Sequence, residues 1–164
     1  MADGRFEGRV VGIYVAPSEG APMEARDEVR ALAGKGLEGD RYAIEAGTYS
    51  GKRIEDAQRA VTLIEREAVQ GADAEHGIEL AEGETRRNIV TEGVRLNDLV
   101  GQEFLVGGVH LRGFDLSHPC TYLEEQTRPG VRKALVDRGG LRAEILDDGP
   151  FRVGDTITQR GGSH

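Results

Sequence analysis

The stretch Phe104-Leu105-Val106-Gly107-Gly108-Val109-His110-Leu111-Arg112-Gly113-Phe114 decides the fold class. Two apolar runs flank a Gly-Gly pair. Glycine adopts the positive φ angles that a tight hairpin turn needs, so the segment reads as two antiparallel strands. The chain after it, Asp115-Leu116-Ser117-His118-Pro119-Cys120, breaks the strand at Pro119.

The same grammar recurs along the chain. Arg9–Ala16 is rich in Val and Ile and ends at Pro17, so it reads as a strand. Ala60–Ile64, Asn88–Thr91, Leu141–Leu146 and Asp155–Thr158 read as further short strands, with turns at Gly36–Asp40, Asn97–Gly101 and Asp147–Gly149. Glu65–His76 carries helix-compatible residues and stops at Gly77. Thr121–Gln126 and Pro129–Asp137 read as helices, Ala25–Ala33 as a short helix or an irregular loop, and Tyr42–Ala57 as a long loop. Many short strands with glycine turns and few helices predict a mostly β fold, a barrel of mainly antiparallel strands. No repeat or linker interrupts it. The organisation expected is a tail over 1–8, one domain over 9–160 and a loose tail over 161–164.

Composition bounds the function. The chain has 164 residues, enough for one core, and its 24 glycines sit mostly between apolar runs. A net charge of −8 repels polyanions, so nucleic acid is not an expected partner. No apolar run is long enough to span a bilayer, and Met1–Glu7 is polar, so no membrane partner is expected. A single cysteine cannot form an intramolecular disulfide, which suits a reducing, cytoplasmic setting.

Cys120 follows Pro119 and precedes a predicted helix. A helix N-terminus favours the thiolate, lowering a free-thiol pKa of about 8.5. His118 and nearby arginines add to this, while Glu124 and Glu125 oppose it. Such a thiolate is a nucleophile, a sulfur carrier or a soft-metal ligand. An inert cysteine filling the core is the equally weighted alternative. Arg86-Arg87-Asn88 stands before a strand, where two guanidiniums and an amide can hold phosphate. By alternation Arg86 and Asn88 share a face. Taken alone, these arginines read better as a solvated strand entry paired to Glu82 and Glu84. Gly36-Leu37-Glu38-Gly39-Asp40-Arg41 permits close backbone approach to a ligand or forms an ordinary turn. Gly47-Thr48-Tyr49-Ser50-Gly51-Lys52-Arg53 offers cations and amides but lacks P-loop spacing. There is no CxxC, HExxH or Gly-x-Ser-x-Gly, and the four histidines lack zinc spacing.

Taken in order, several segments resemble the MOSC family, named for the C-terminal domain of molybdenum cofactor sulfurase. They are Gly36–Arg41, Val61-Thr62-Leu63-Ile64-Glu65, Arg86-Arg87-Asn88-Ile89-Val90-Thr91, Leu96-Asn97-Asp98-Leu99-Val100-Gly101, Pro119-Cys120-Thr121-Tyr122-Leu123-Glu124, Gly140-Leu141-Arg142-Ala143 and Val153-Gly154-Asp155. The likeness runs from about Arg9 to Ile157 and is of the short, stand-alone bacterial type. It implies a MOSC, pyruvate-kinase-barrel-like β-barrel with a few short helices. It implies Cys120 as the central residue, either ligating molybdenum or carrying sulfur as a persulfide. It implies a molybdenum cofactor (molybdopterin) whose phosphate is met by Arg86, Arg87 and Asn88. Ser117, His118 and the turn Gly39-Asp40-Arg41 are expected to line the same pocket. The leading expectation is a molybdenum-pterin protein reducing small N-hydroxylated compounds. A sulfur carrier in cofactor or metal–sulfur assembly and a non-catalytic binding module are the alternatives. The expected partners are the anionic pterin and a cysteine desulfurase or electron-donor protein. Pyridoxal phosphate is not expected, because the family's link to it runs through a desulfurase domain not seen in this chain.

Overall fold

The computed structural model describes residues 7–15, 23–33, 36–38, 61–77, 87–116 and 140–159. Alternation of apolar and polar residues organises them. In β9, Leu141–Ile145, the residues Leu141, Ala143 and Ile145 are buried, while Arg142 and Glu144 are not. In β8, Val109–Leu116, Val109 and Leu111 are buried, and His110 and Arg112 face outward. Such period-two segments must turn their apolar faces onto a shared interior.

Closing the sheet on itself is how they do so. The ring runs β11 (Thr156–Gln159), β7 (Glu103–Val106), β8, β9, β5 (Val61–Glu65), β6 (Ile89–Glu92) and β1 (Glu7–Val15), and β1 pairs back with β11, giving a closed barrel of seven strands. Closure removes the exposed sheet edges that invite aggregation. All neighbours are antiparallel except β5 and β6. Parallel neighbours need a crossover, and helix α1, Arg66–His76, begins it. The helix packs on β5 and β6. Buried Ala68 and Val69 belong to it, and buried Ile64 and Val90 lie on the strands it covers, outside the main core cluster. It ends at Gly77, whose φ is 67°.

The interior holds Val10, Ile13, Leu63, Ile89, Phe104, Leu111, Leu141 and their neighbours. Two elements complete the core from opposite ends. After β6 a single 3-10 turn, Leu96–Leu99, inserts two buried leucines where β5 and β6 finish and β7 starts. A second sheet joins β10 (Gly149–Arg152), which lies between β9 and β11 in the chain, to β3 (Glu28–Leu32) and β4 (Gly36–Leu37), and adds Phe151, Val29, Ala31 and Leu37 to the same cluster. A short strand β2, Glu24–Arg26, pairs with the end of β1.

The expected barrel, the strand positions and the helix at Glu65–His76 agree with this. Three local readings need correction. Ala25–Ala33, read as a helix or loop, is β2 and β3; the buried Val29 and Ala31 alternate with exposed Glu28 and Arg30, a strand period obscured by the high charge. Gly36–Asp40, read as a turn, starts as β4, because Leu37 is drawn into the core opposite Ala31. The turn ending at Gly149 leads directly into β10, since Phe151 supplies a core side chain despite the adjacent Pro150. The barrel also takes in Glu7 and Gly8, which pair with Thr158 and Ile157. The predicted helices Thr121–Gln126 and Pro129–Asp137 lie outside the described residues.

Candidate functional site

A polar line crosses the outer wall of the barrel on four neighbouring strands and at the entry to β6. Strand stagger puts the end of β8 and the start of β5 on one register line through β9. Asp115 of β8 is opposite Arg142 of β9, and Arg142 is opposite Thr62 of β5. Thr62 is bonded to Asn88, immediately before β6, and Asn88 to Tyr14 of β1.

Asn88 is 3% exposed, and its amide is built into the wall. The side-chain oxygen accepts from the Thr62 backbone N–H at 3.1 Å and from the Thr62 hydroxyl at 3.2 Å. Its NH2 donates to the Tyr14 carbonyl at 3.0 Å. Its backbone N–H is shared between the Thr62 carbonyl at 3.0 Å and the Thr62 hydroxyl oxygen at 3.1 Å. This is where β5 and β6 begin beside each other, and the amide supplies the bonds that the ladder cannot yet make. Asn88 thus fixes the position at which the Arg86-Arg87 segment joins the barrel.

Arg87 is half-buried. Its Nε lies 3.4 Å from where a β-carbon on Gly140 would sit, so its guanidinium reaches the wall beside β9. Gly140 has φ 116°, and a β-carbon there would come within 2.3 Å of the Leu63 carbonyl oxygen. Only glycine allows this approach.

Arg142, two residues on, was not among the site residues expected from sequence. Its Nη2 makes two long contacts of 3.4 Å, to Asp115 Oδ2 and to the Leu116 carbonyl. Among the described residues its Nε is buried with no hydrogen-bond partner. A bulge in β8 between Gly113 and Asp115 sets this geometry. Continued alternation would have sent Asp115 inward after Leu111 and Gly113, and the extra residue turns the carboxylate out to Arg142. The available signal was the alternation of Leu141, Ala143 and Ile145, which leaves Arg142 on the outer face, where it meets Asp115 and Leu116.

Further from this line, Glu65 reaches the Leu96–Leu99 turn. Its Oε2 accepts from the Leu96 N–H at 3.0 Å. Burial pushes its pKa up from the ordinary value of 4.5, against the lowering effect of that bond. Glu67 accepts from Gly93 N–H at 2.9 Å. Asp147 holds both the ring Nδ1 and the backbone N–H of His110, joining β8 to the turn after β9.

Of the expected site residues, Arg87 and Asn88 are described, and they stand on this wall. Cys120, Arg86, Ser117, His118, Gly39, Asp40 and Arg41 lie outside the described residues. Among the described residues no three His, Cys, Asp or Glu side chains come together as a metal cluster, and no helix is long and apolar enough to cross a membrane.

The fold has counterparts among solved structures. The YUAD protein from Bacillus subtilis matches with a TM-score of 0.78 at 18% identity, over 94% of this chain and 96% of that one. YiiM from Geobacillus stearothermophilus matches with a TM-score of 0.70 at 15% identity, over 93% of this chain and 74% of that one. YiiM from Escherichia coli gives 0.64 at 16%, over 92% and 69%. At these identities the likeness establishes the fold alone. No curated protein sequence matches the chain. The family model for the MOSC domain matches residues 36–158, well over half of the sequence. The chain therefore belongs to the MOSC domain family, which is associated with molybdenum cofactor proteins.

Proposed function

We propose that this protein binds a molybdenum-pterin cofactor on the outer wall around Asn88 and Arg142, with Cys120 as the thiolate ligand, and acts on small N-hydroxylated compounds. The observation that carries this reading is the meeting of segment ends on one register line. Residues 39–60 lead to Thr62, residues 78–86 lead to Asn88, and residues 117–139 leave from Leu116 and return at Gly140. Strand neighbours are separated by about 4.8 Å, so these attachment points span only about 15 Å from β8 to β6. Cys120, Arg86 and the turn Gly39-Asp40-Arg41 belong to those three segments.

The donor chemistry of this wall suits an anionic group. Arg87 lies against Gly140, and Arg142 carries a buried N–H without an acceptor among the described residues. A pterin phosphate needs such cations, and a thiolate is a natural ligand for thiophilic molybdenum. When bound, the molybdenum centre supplies the two-electron chemistry. The chain's own part is to hold the phosphate with Arg86 and Arg87, to keep that segment in place through Asn88, and to present Cys120 as thiolate beside Ser117 and His118.

The test is the metal content of protein made in a cofactor-competent host. The wild type is expected to retain about one molybdenum per chain, and Cys120→Ser to lose it while keeping its circular dichroism and melting temperature. Serine matches cysteine in size, so packing is conserved while the soft donor is lost. Added sulfur on Cys120 by mass spectrometry, with no molybdenum, replaces this reading with the sulfur carrier. Unfolding of Cys120→Ser makes the cysteine structural.

A further inference from the structure

We infer that Arg142 is a second anion-holding residue of this wall, one that releases Asp115 to pair with a phosphate-class oxyanion. The inference rests on the proposed cofactor site and adds a residue to it. Three observations support it. First, the contacts of Arg142 to Asp115 Oδ2 and to the Leu116 carbonyl are both 3.4 Å, and both come from Nη2. Charge-assisted pairs of this kind normally close to about 2.7–2.9 Å, so the guanidinium is held loosely. Second, its Nε is buried without an acceptor among the described residues. A buried donor on a charged group is costly to leave unmet, and native proteins seldom retain one without a purpose. Third, the position gathers positive charge. Arg87 reaches to Gly140, and Gly140 is only two residues from Arg142, about 7 Å along an extended chain. Two guanidiniums brought this near on one wall favour a dianion over a single carboxylate. Asp115 on its loose pair is then the resting partner, and an oxyanion with two oxygens in the plane of the guanidinium competes with it.

The edge of the guanidinium carrying Nε and Nη2 is the edge that a tetrahedral oxyanion grips with two oxygens. Lysine offers the charge without that fork. Asparagine at 115 keeps the size and removes the competing charge. The probe is inorganic phosphate, titrated into the purified full chain at low salt and followed by the shift in melting temperature and by isothermal calorimetry. Wild type should bind phosphate saturably. Arg142→Gln should weaken it by about tenfold or more, Arg142→Lys by less, and Asp115→Asn should tighten it severalfold. Arg9→Gln, whose partner Glu92 is exposed on another part of the barrel, serves as the control and should change nothing.

Equal phosphate affinity in wild type and Arg142→Gln overturns the inference, as does absence of saturable binding by the wild type. If both Arg142 variants fail to fold, Asp115→Asn decides, and unchanged affinity there overturns it. Cys120→Ser should bind phosphate as the wild type does, because the anion site does not use the thiol. A wild type that holds no molybdenum yet binds phosphate through Arg142 would reject the cofactor reading and leave the assignment of Arg142 standing.

Discussion

At the scale of single residues, two polar side chains act as substitutes for missing backbone pairing. Asn88 bonds Thr62 on one side and the Tyr14 carbonyl on the other while being almost wholly buried. Asn88→Ala would strip an acceptor from the Thr62 N–H and a donor from Tyr14, leaving buried groups unmet. A loss of about 2–4 kcal/mol in urea unfolding is expected; a change near zero would show that the wall does not depend on this amide. Asn88→Asp keeps the acceptor but sets a buried carboxylate against the Tyr14 carbonyl, so it should cost at least as much as alanine. Glu65 is the second case. Its pKa is raised in the folded state by burial, so the ionised form is less favoured there than in the unfolded chain. The penalty is absent below the ordinary value of 4.5 and grows as pH rises through the raised folded pKa. Stability of the wild type should therefore carry a downward contribution across that window. Gln at this position keeps an acceptor for Leu96 N–H and cannot ionise. Glu65→Gln should remove that part of the pH slope and be at least as stable near neutrality. Denaturant melts at several pH values test this, and parallel slopes in the two proteins would refute it.

At the scale of elements, legibility followed the strength of alternation against charge. β8, β9 and the Gly107-Gly108 turn were readable because apolar residues recur at every second position and glycines mark the reversal. β3 was not, because Glu28 and Arg30 flank Val29 and make the segment look like a charged helix. β10 was hidden by Pro150, although β10 is an edge strand where a proline is tolerated. Of the site, Arg87 and Asn88 could be named through the resemblance of the Arg86–Thr91 segment to the family, since taken alone that run reads as a solvated strand entry. Arg142 was passed over, since one arginine between Leu141 and Ala143 looks like any outward-facing strand residue. The β8 bulge that turns Asp115 to meet it directly follows Gly113, which packs under the Leu99 carbonyl, a tertiary contact with no local signature. The glycine that opens β9 gives the test at this scale. Gly140→Ala adds a β-carbon within 2.3 Å of the Leu63 carbonyl oxygen and forces φ 116° on an alanine. The severe clash is with backbone rather than with a flexible side chain, so the strand must shift. A destabilisation of about 3 kcal/mol or more is expected, with Arg87 displaced from its place beside the strand. Wild-type stability in Gly140→Ala would mean that the β5–β9 contact relaxes freely.

At the scale of the whole molecule, the two end pieces and the barrel share one continuous interior. Leu96 and Leu99 come from the turn after β6, and Phe151, Val29, Ala31 and Leu37 from the three-stranded sheet, yet all belong to the cluster that includes Phe104 and Leu111. Chain connectivity strengthens this, because β10 lies directly between β9 and β11 and the Leu96–Leu99 turn directly between β6 and β7. Neither piece can leave without pulling on a barrel strand and opening an apolar surface to water. Leu96 is 1% exposed and Phe151 is 0% exposed, so truncating either leaves a cavity rather than a solvated gap. Leu96→Ala should cost about 2–5 kcal/mol and Phe151→Ala about 3–5 kcal/mol. The form of the transition matters more than the size. If the core is one unit, each variant should shift the whole unfolding curve and keep its slope, whether followed by far-ultraviolet circular dichroism or by hydrogen exchange of barrel amides. The two losses should add, since the residues sit at opposite ends of the barrel. A separate early phase in Phe151→Ala, with amides of β3 and β10 exchanging while those of β5 and β9 stay protected, would show instead that the small sheet is an independently melting cap.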